Sequence, residues 1–222
     1  MVKAQRVTMD DAVLLDPSSP EWSGVGAVEL TLQPTPIASQ PSVYVLAKWK
    51  DKPYGVTPRV SVRAAHNGER LYFRLSWAND TKNDSIRDTD QFTDAAAVLF
   101  PVNGNAVLQN MGTPQEPVNA WYWRSDLEQP FSVTAQGIGT TKRTQDPELG
   151  AQGAYGDGAW NMVIRRRLVH AADASLSHSQ GYVNLVAGAS GLVGFAVWQG
   201  ANQERGGLKA ITPDWQPLEI EA

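Results

Sequence analysis

Two stretches of the sequence contain, next to an aromatic segment, a residue type that can bind a metal ion. In residues 110–123, Met111 offers a soft thioether, and an aromatic segment with the pattern of a β-strand follows it. In residues 195–209 an aromatic strand comes first, and the loop after it ends at Lys209, whose amine binds a metal only when neutral. Taken alone, a single methionine usually fills a core and a single lysine is usually solvated. The pattern by itself therefore leaves both roles open.

The neighbours of these two residues are compatible with a binding site. A neutral lysine needs burial or nearby positive charge, because both disfavour the ammonium form. Arg205, four residues before Lys209, is placed to supply such a charge or to bind an anionic group. Gly112, directly after Met111, allows another group to approach the backbone closely.

Eight tryptophans are the second unusual feature of the composition. Trp77 and Trp160 lie in segments with alternating apolar residues, which favours a place in the core. Trp121 and Trp123 are two residues apart, so a strand presents them on one face and Tyr122 on the other. Such a pair suits either a sandwich core or one wall of a cofactor pocket, and spacing does not decide between them.

Several kinds of chemistry are excluded or lack support. The absence of cysteine excludes disulfides, thiolate zinc sites, iron–sulfur clusters and covalent haem attachment within the chain. No nucleophile elbow, phosphate-binding glycine loop or His-Glu-x-x-His motif supports hydrolysis. The net charge is −4 and the only basic run is residues 165–167, so no nucleic-acid surface is indicated.

Other polar residues are expected to lie at the surface. His66 falls in a predicted hairpin turn, and His170 and His178 fall in a polar segment, where surface positions are favoured over a metal site. The acidic residues of the segment ending at Asp94 lack the glycine and terminal glutamate of a calcium loop. No apolar run reaches the length of a membrane span or of a signal-peptide core. The chain is therefore expected either to stay in the cytoplasm or to be a mature form whose leader has been removed.

The elements that must position these residues are mostly short strands. Nineteen glycines and fourteen prolines separate apolar runs over the 222 residues, and ten to twelve strands are predicted. This is the pattern of a mainly β fold, an antiparallel β-sandwich with long loops, and residues 1–222 are predicted to form a single domain. The predicted strands include residues 5–15, 25–32, 43–49, 59–65, 70–77, 95–100, 118–124, 131–138, 159–168, 182–187, 193–198 and 215–220.

Two local patterns are specific enough to test. Asn67 and Gly68 are the favoured centre of a type I′ hairpin, whose second strand places Leu71, Phe73, Leu75 and Trp77 on one face. Residues 140–158 are rich in glycine and polar side chains without periodicity, which predicts a long surface loop.

Four segments in order resemble the haem-binding γ subunits of the ethylbenzene dehydrogenase, dimethylsulfide dehydrogenase, chlorate reductase and selenate reductase group. They are residues 65–77, 94–101 and 111–123, followed by 195–200 together with 204–209. The resemblance implies a β-sandwich holding one non-covalent haem b, whose iron is ligated by Met111 and, unusually, by Lys209. The loop at 140–158 departs from the family pattern and contains Lys142, the only other lysine after Met111. The cofactor contacts expected from the resemblance and from the aromatic strands are Met111, Lys209, Asn119, Trp121, Trp123, Phe195, Trp198 and Arg205.

The function implied by the resemblance is electron transfer rather than catalysis. The haem would exchange electrons with an iron–sulfur β subunit bound to a molybdenum α subunit, and with a soluble cytochrome or similar carrier. The implied location is the periplasm, for a mature form lacking its leader. A carbohydrate-binding sandwich module is the alternative, because sandwiches of this size often stack sugars on exposed tryptophans.

Overall fold

The computed structural model describes residues 1–104, 106–169 and 181–222, and these residues form a mainly β protein. Fourteen strands occur among them, which confirms the predicted fold class with more strands than expected. The strands are β1 Val2–Arg6, β2 Ala27–Thr31, β3 Gln33–Pro34, β4 Arg59–His66, β5 Arg70–Ala78, β6 Ala95–Pro101, β7 Val118–Arg124, β8 Phe131–Ala135, β9 Lys142–Thr144, β10 Gly150–Gly156, β11 Ala159–Arg167, β12 Ser190–Trp198, β13 Ala210–Ile211 and β14 Gln216–Ile220. The helices are α1 Asp11–Leu15 and α2 Val43–Trp49, with single 3₁₀ turns at Pro20–Gly24, Ile37–Ser39, Leu108–Asn110 and Gly200–Asn202.

The strands form two sheets that share β12. The first sheet has the order β10-β11-β5-β4-β1-β14-β12, with β2 also paired to β4. The second has the order β3-β13-β12-β6-β7-β8-β9. Residues 190–193 of β12 pair with β14 and residues 194–198 pair with β6, so one strand passes from the first sheet into the second.

The pairing is mixed rather than purely antiparallel. The first strand, β1, lies parallel to both of its neighbours, β4 and the last strand, β14. All other pairs between named strands of the described chain are antiparallel. A parallel pair formed by the two ends of the chain has no turn signal between its partners, so local sequence patterns do not reveal it.

The main core lies between the two sheets and follows the two-residue period of the strands. Leu71, Phe73, Leu75 and Trp77 point into it, as predicted. Phe73 lies at its centre, and the centroid of its ring is 6.0 Å from that of Phe100, 6.1 Å from Trp121 and 5.8 Å from Phe195. The inner faces of β7 and β12 therefore belong to the core of the sandwich.

The outer face of the second sheet is also apolar. A second buried cluster contains the alternate residues of the same strands, including Ala97 and Leu99 of β6, Ala120 of β7, and Trp198 of β12. All seven residues of β6 are buried, because the strand is covered on both faces. The material that covers the outer face consists of loops, and these loops build the candidate site.

Two segments predicted as strands contain helices. Residues 43–49 form α2, whose N-terminus is capped by Ser42, the side chain of which accepts a hydrogen bond of 3.4 Å from the Val45 amide. The alternating β-branched residues favoured a strand, and the serine immediately before them was the contrary signal. Residues 5–15 contain the end of β1 and, separately, α1.

The loop predicted at residues 140–158 contains the whole of β9 and β10. The side chains of β9 are exposed and those of β10 are exposed or half-buried, so neither strand has the hydrophobic alternation on which recognition depends. Gly153 of β10 lies under Trp123, since a Cβ atom built there would be 2.4 Å from the indole. The glycine content therefore reflects close packing as well as turns.

Four smaller predictions are also corrected. Residues 182–187 are not a strand, although Leu185 is buried and its amide donates to the Leu168 carbonyl. In the hairpin after β4, φ is positive at Gly68 but not at Asn67, and Gly68 and Glu69 are the central residues, which rules out the predicted type I′ turn. Two residues expected at the surface, His66 and Asp94, are fully buried. His66 ends β4 beside β1, and Asp94 accepts hydrogen bonds from the Trp160 indole and the Gly200 amide.

Among the helices of the described residues, none combines the length and the apolar character needed to cross a membrane. His170 and His178 lie outside the described residues.

Candidate cofactor site

A cavity of about 450 Å³ lies on the outer face of the second sheet. Its floor is made of apolar side chains from three neighbouring strands, including Ala97, Leu99, Ala120 and Val133. Its walls come from three segments: residues 35–45, which lead into α2; residues 138–143, which lead from β8 into β9; and residues 206–209 before β13. A mostly apolar cavity of this size is in the range that proteins use for small molecules and cofactors.

An aromatic row crosses the floor and has a cation at each end. The ring centroids of Phe131 and Tyr122 are 4.9 Å apart and nearly parallel, and those of Tyr122 and Trp198 are also 4.9 Å apart. The Arg143 guanidinium carbon lies 3.8 Å from the Phe131 centroid, and the Lys209 Nζ lies 5.6 Å from the Trp198 centroid. The row therefore offers a broad flat surface, with a buried amine at one end and an exposed guanidinium at the other.

Lys209 is held in place by its own loop and by the loop at residues 34–40. Ala210 pairs with Val197, so Lys209 lies beside Trp198, and its carbonyl accepts a 3.1 Å hydrogen bond from the Thr35 amide. Two residues earlier, the Gly207 carbonyl accepts hydrogen bonds from the hydroxyl of Thr35 and the amide of Gln40. These hydrogen bonds fix the backbone at Lys209 and at the residue two positions before it.

The same loop is secured at its start by a buried carboxylate. Glu204 is 1% exposed and accepts 3.0 Å hydrogen bonds from the amides of Val56 and Gln199. The indole of Trp198 donates to the Gly206 carbonyl at 3.0 Å. Because buried carboxylates that accept several backbone hydrogen bonds are rigid anchors, Glu204 connects the floor residue Trp198 with the loop that contains Lys209.

The environment of Lys209 makes its amine easier to deprotonate than that of a solvated lysine. Lys209 is 5% exposed, and it forms no ion pair with any residue that the structure describes. Burial lowers the pKa of its amine from 10.5 to about 8. A free lone pair is therefore much more accessible at Lys209 than at a solvated lysine.

Met111 lies at the far end of the sheet face in a strained conformation. It follows the 3₁₀ turn Leu108–Asn110 with φ = 55°, in the left-handed region that few residues other than glycine adopt. Its carbonyl accepts a 3.0 Å hydrogen bond from the Gly137 amide after β8. The next residue, Gly112, has φ = 78°, and a Cβ atom there would be 2.4 Å from the Glu116 carbonyl oxygen. Backbone strain of this kind is concentrated at functional sites.

The strand register places the two potential ligands at opposite ends of the cavity floor. Trp198, beside Lys209, pairs with Ala95, which pairs with Arg124 at the end of β7. Met111 lies at the other end, because Gly112 bridges to Pro117, just before β7 begins. Both residues line the same cavity. A flat group that enters the cavity between these two residues would therefore have the thioether toward one of its faces and the amine toward the other.

The structure distinguishes between the residues predicted as cofactor contacts. Met111, Lys209 and Trp198 line the cavity. Trp121, Trp123 and Phe195 point into the core between the sheets, on the opposite faces of their strands. Asn119 points the same way and donates to Ser132 and the Val133 carbonyl. Arg205 stacks on Phe92, with its guanidinium carbon 4.2 Å from the ring centroid, and does not line the cavity.

The alternation of side chains along β7 explains which predicted contacts lie in the core and which cavity residue was not predicted. Trp121 and Trp123 share a face, as predicted, and the residue between them, Tyr122, is the one on the cavity floor. Phe131 follows from the same rule, because it pairs with Tyr122. Arg143 was missed because β9 was predicted as loop. The signal for Tyr122 was therefore present in the sequence, whereas the signal for Arg143 was not.

The residues present fit a haem. The floor is flat and aromatic, and the cavity contains two donors, a soft thioether and an amine that burial favours in its neutral form. A macrocycle that brings four nitrogen ligands of its own leaves room for up to two from the protein, and a thioether is an established haem ligand. Within the described ranges, no group of three or more His, Cys, Asp or Glu side chains is arranged to hold a bare metal ion.

Comparison with solved structures gives the class of protein. The fold is similar to that of a provisionally assigned carbohydrate-binding protein from Bacteroides uniformis, with a TM-score of 0.54 and 11% identity over 100% of this chain and 97% of that one. It is also similar to a family 9 carbohydrate-binding module from Caldicellulosiruptor kristjanssonii, with a TM-score of 0.50 and 8% identity over 100% of this chain and 95% of that one. Likenesses at this identity define a β-sandwich and nothing about the ligand.

Sequence comparison gives the family. The ethylbenzene dehydrogenase family model matches residues 19–152, and the chain belongs to that family. The chlorate reductase subunit gamma of Ideonella dechloratans is 40% identical over 166 residues, which are 74% of this chain and 66% of that protein. A provisionally named respiratory nitrate reductase heme subunit of Haloferax mediterranei is 38% identical over 200 residues, 90% of this chain and 66% of that protein. The dimethylsulfide dehydrogenase subunit gamma of Rhodovulum sulfidophilum is 34% identical over 161 residues, 69% of this chain and 57% of that protein. The matches thus span about two thirds or less of each relative.

Proposed function

We propose that the chain is a haem-binding electron-transfer subunit that holds one haem b in the cavity on the outer face of the second sheet. The observation that carries the proposal is the pair of donors, Met111 and Lys209, at opposite ends of a mostly apolar, aromatic-floored cavity. The family and the names of its relatives support the same function, since one is a heme subunit and two are gamma subunits of redox enzymes. When bound, the haem supplies a one-electron redox centre.

The residues of the chain perform three tasks in this proposal. Burial of Lys209 lowers the pKa of its amine to about 8, so that binding iron displaces a proton held less tightly than on a solvated lysine. The thioether of Met111 favours the ferrous state and raises the reduction potential. Tyr122, Phe131 and Trp198 form an apolar floor that excludes water. Met111 and Lys209 would together hold the iron and leave no place at it for a substrate, so in this proposal the subunit transfers electrons and is not itself a catalyst.

The partners follow from the same proposal. The subunit would exchange electrons with an iron–sulfur β subunit attached to a molybdenum α subunit on one side, and with a soluble cytochrome or similar carrier on the other. Support comes from the relatives named as subunits of chlorate reductase and dimethylsulfide dehydrogenase. The periplasm is the proposed location, and fractionation of source cells with detection of the chain tests it.

Haem titration of variants tests the central part of the proposal. The unmodified protein should bind one haem per chain, extractable with acidic organic solvent because there is no cysteine to anchor it. Ala120→Phe places a ring in the cavity floor and should abolish binding. Ala27→Phe, an exposed position on β2 of the other sheet, is the control and should bind normally. Absence of haem in the unmodified protein, or normal binding by Ala120→Phe, would refute the site.

The alternative of a carbohydrate-binding module has the fold in its favour and nothing else. All eight tryptophans lie within the described residues and none is exposed, so the structure offers no exposed indole of the kind that such modules use to stack on sugars. Affinity electrophoresis in polysaccharide gels distinguishes the alternatives, because the haem proposal predicts unchanged mobility.

A further inference from the structure

The exposed cation at one end of the aromatic row has no carboxylate partner within the part of the chain that the structure describes. Arg143 is exposed, its guanidinium lies over Phe131, and among the described residues it forms no ion pair. The other arginine that lines the cavity, Arg124, is already paired with Asp126 through two hydrogen bonds of 2.9 and 2.7 Å. Of these two arginines, Arg143 is thus the one whose charge is free for a ligand.

The register of β9 explains why Arg143 reaches the cavity. Arg143 pairs with Val133, and residues directly opposite each other on neighbouring strands present their side chains on the same face. Val133 lies on the cavity floor, so Arg143 is directed to the cavity as well. Lys142, the preceding residue, pairs with Thr134 and belongs to the opposite face. Of the two neighbouring cations of β9, only Arg143 is therefore directed to the cavity, although both are exposed.

We propose that Arg143 binds a carboxylate of the molecule that occupies the cavity. The site would then orient an amphiphilic ligand, with its apolar body over the aromatic row toward Lys209 and its anionic edge at the solvent boundary. The inference rests on the proposed function, in which the ligand is haem and the carboxylate is one of its propionates. It replaces Arg205, which stacks on Phe92 outside the cavity.

The chemistry of arginine suits this position. A guanidinium presents parallel N–H groups that bind a carboxylate through two hydrogen bonds, which a lysine ammonium does not reproduce. The Phe131 ring holds the guanidinium of Arg143 in place before a ligand binds, because cations are attracted to aromatic faces. Less side-chain freedom is therefore lost when the carboxylate binds.

A comparison of haem with haem dimethyl ester tests the proposal, since esterification removes both carboxylate charges. The measurement is the rate of transfer of each haem from the protein to an excess of apomyoglobin. Arg143→Leu should release haem about 3- to 30-fold faster than the unmodified protein, as expected for loss of one partly exposed charged contact. With the dimethyl ester, the two proteins should release at the same rate. Arg143→Lys should recover part of the difference for haem.

Two controls separate this role from general effects. Lys142→Leu removes the neighbouring charge on the other face, and Arg205→Leu removes the other candidate; both should release haem at the unmodified rate. Equal release by Arg143→Leu and the unmodified protein, or acceleration of the same size for haem and its ester, would overturn the inference alone. Failure of the unmodified protein to bind haem at all would overturn the proposed function, and this inference with it.

Discussion

Replacement of Lys209 by methionine should stabilise the cofactor-free protein. Methionine keeps the length and apolar stem of lysine but has no charge to bury. In the folded chain the pKa of Lys209 is lowered from 10.5 to about 8, because burial disfavours the ammonium form. At 1.36 kcal/mol for each pKa unit, this difference corresponds to about 3 kcal/mol of stability lost when the amine is protonated in both states.

The pH dependence has a definite sign. Below pH 8 both the folded and the unfolded chain hold the proton, so the full penalty applies to the unmodified protein. Between pH 8 and pH 10.5 the unfolded chain holds more protons than the folded one, so the stability of the unmodified protein rises with pH. The advantage of Lys209→Met is therefore largest at neutral pH, at most about 3 kcal/mol, and disappears as the pH approaches 10.5.

Urea denaturation of the cofactor-free proteins at several pH values between 7 and about 10 measures this effect. Lys142→Met, at an exposed lysine, is the matched control and should follow the unmodified protein at every pH. Parallel curves for Lys209→Met and the unmodified protein, or lower stability of Lys209→Met at neutral pH, would refute the reasoning.

Three further substitutions test the support of the site. Met111→Leu should keep the fold, with a stability change below about 1.5 kcal/mol, but lower the reduction potential of bound haem; an unchanged potential in a redox titration would show that the sulfur is not a ligand. Gly112→Ala should lose more stability than Gly104→Ala, by about 1–3 kcal/mol in urea, because both glycines have positive φ but only Gly112 faces an obstructing carbonyl; equal losses would contradict this. Glu204→Gln should cost about 1–3 kcal/mol and accelerate haem release, since its buried carboxylate secures the loop before Lys209; release at the unmodified rate would remove Glu204 from the site.

Strand periodicity predicted much of the fold and part of the site. The two-residue alternation correctly placed Leu71, Phe73, Leu75 and Trp77 in the core, and it placed Trp121 and Trp123 on one face with Tyr122 on the other. It did not decide which face of β7 was the core. Both faces of this strand are largely apolar, so the sequence shows no alternation between apolar and polar residues. Only the folded structure, in which loops cover the outer face of β7, shows which of its faces belongs to the main core.

The remaining features depend on contacts that are distant in sequence. The parallel pairing of β1 joins the two ends of the chain, and β9 is short, exposed and at a sheet edge. Arg143 was consequently missed as a cavity residue. Lys209 was identified through the family resemblance, since a lone lysine gives no local sign of the burial that lowers its pKa.

The absorption spectrum of the haem-loaded protein and its ligand variants tests the central claim most directly. The unmodified protein should show a six-coordinate, low-spin haem at neutral pH and lose one ligand in acid, because protons compete with iron for the amine of Lys209. Lys209→Ala at neutral pH should resemble the acid form, because alanine has no atom that can bind the iron, while Lys142→Ala should be indistinguishable from the unmodified protein. An unchanged low-spin spectrum in Lys209→Ala, or a spectral change in Lys142→Ala instead, would contradict the assignment of Lys209 as the ligand.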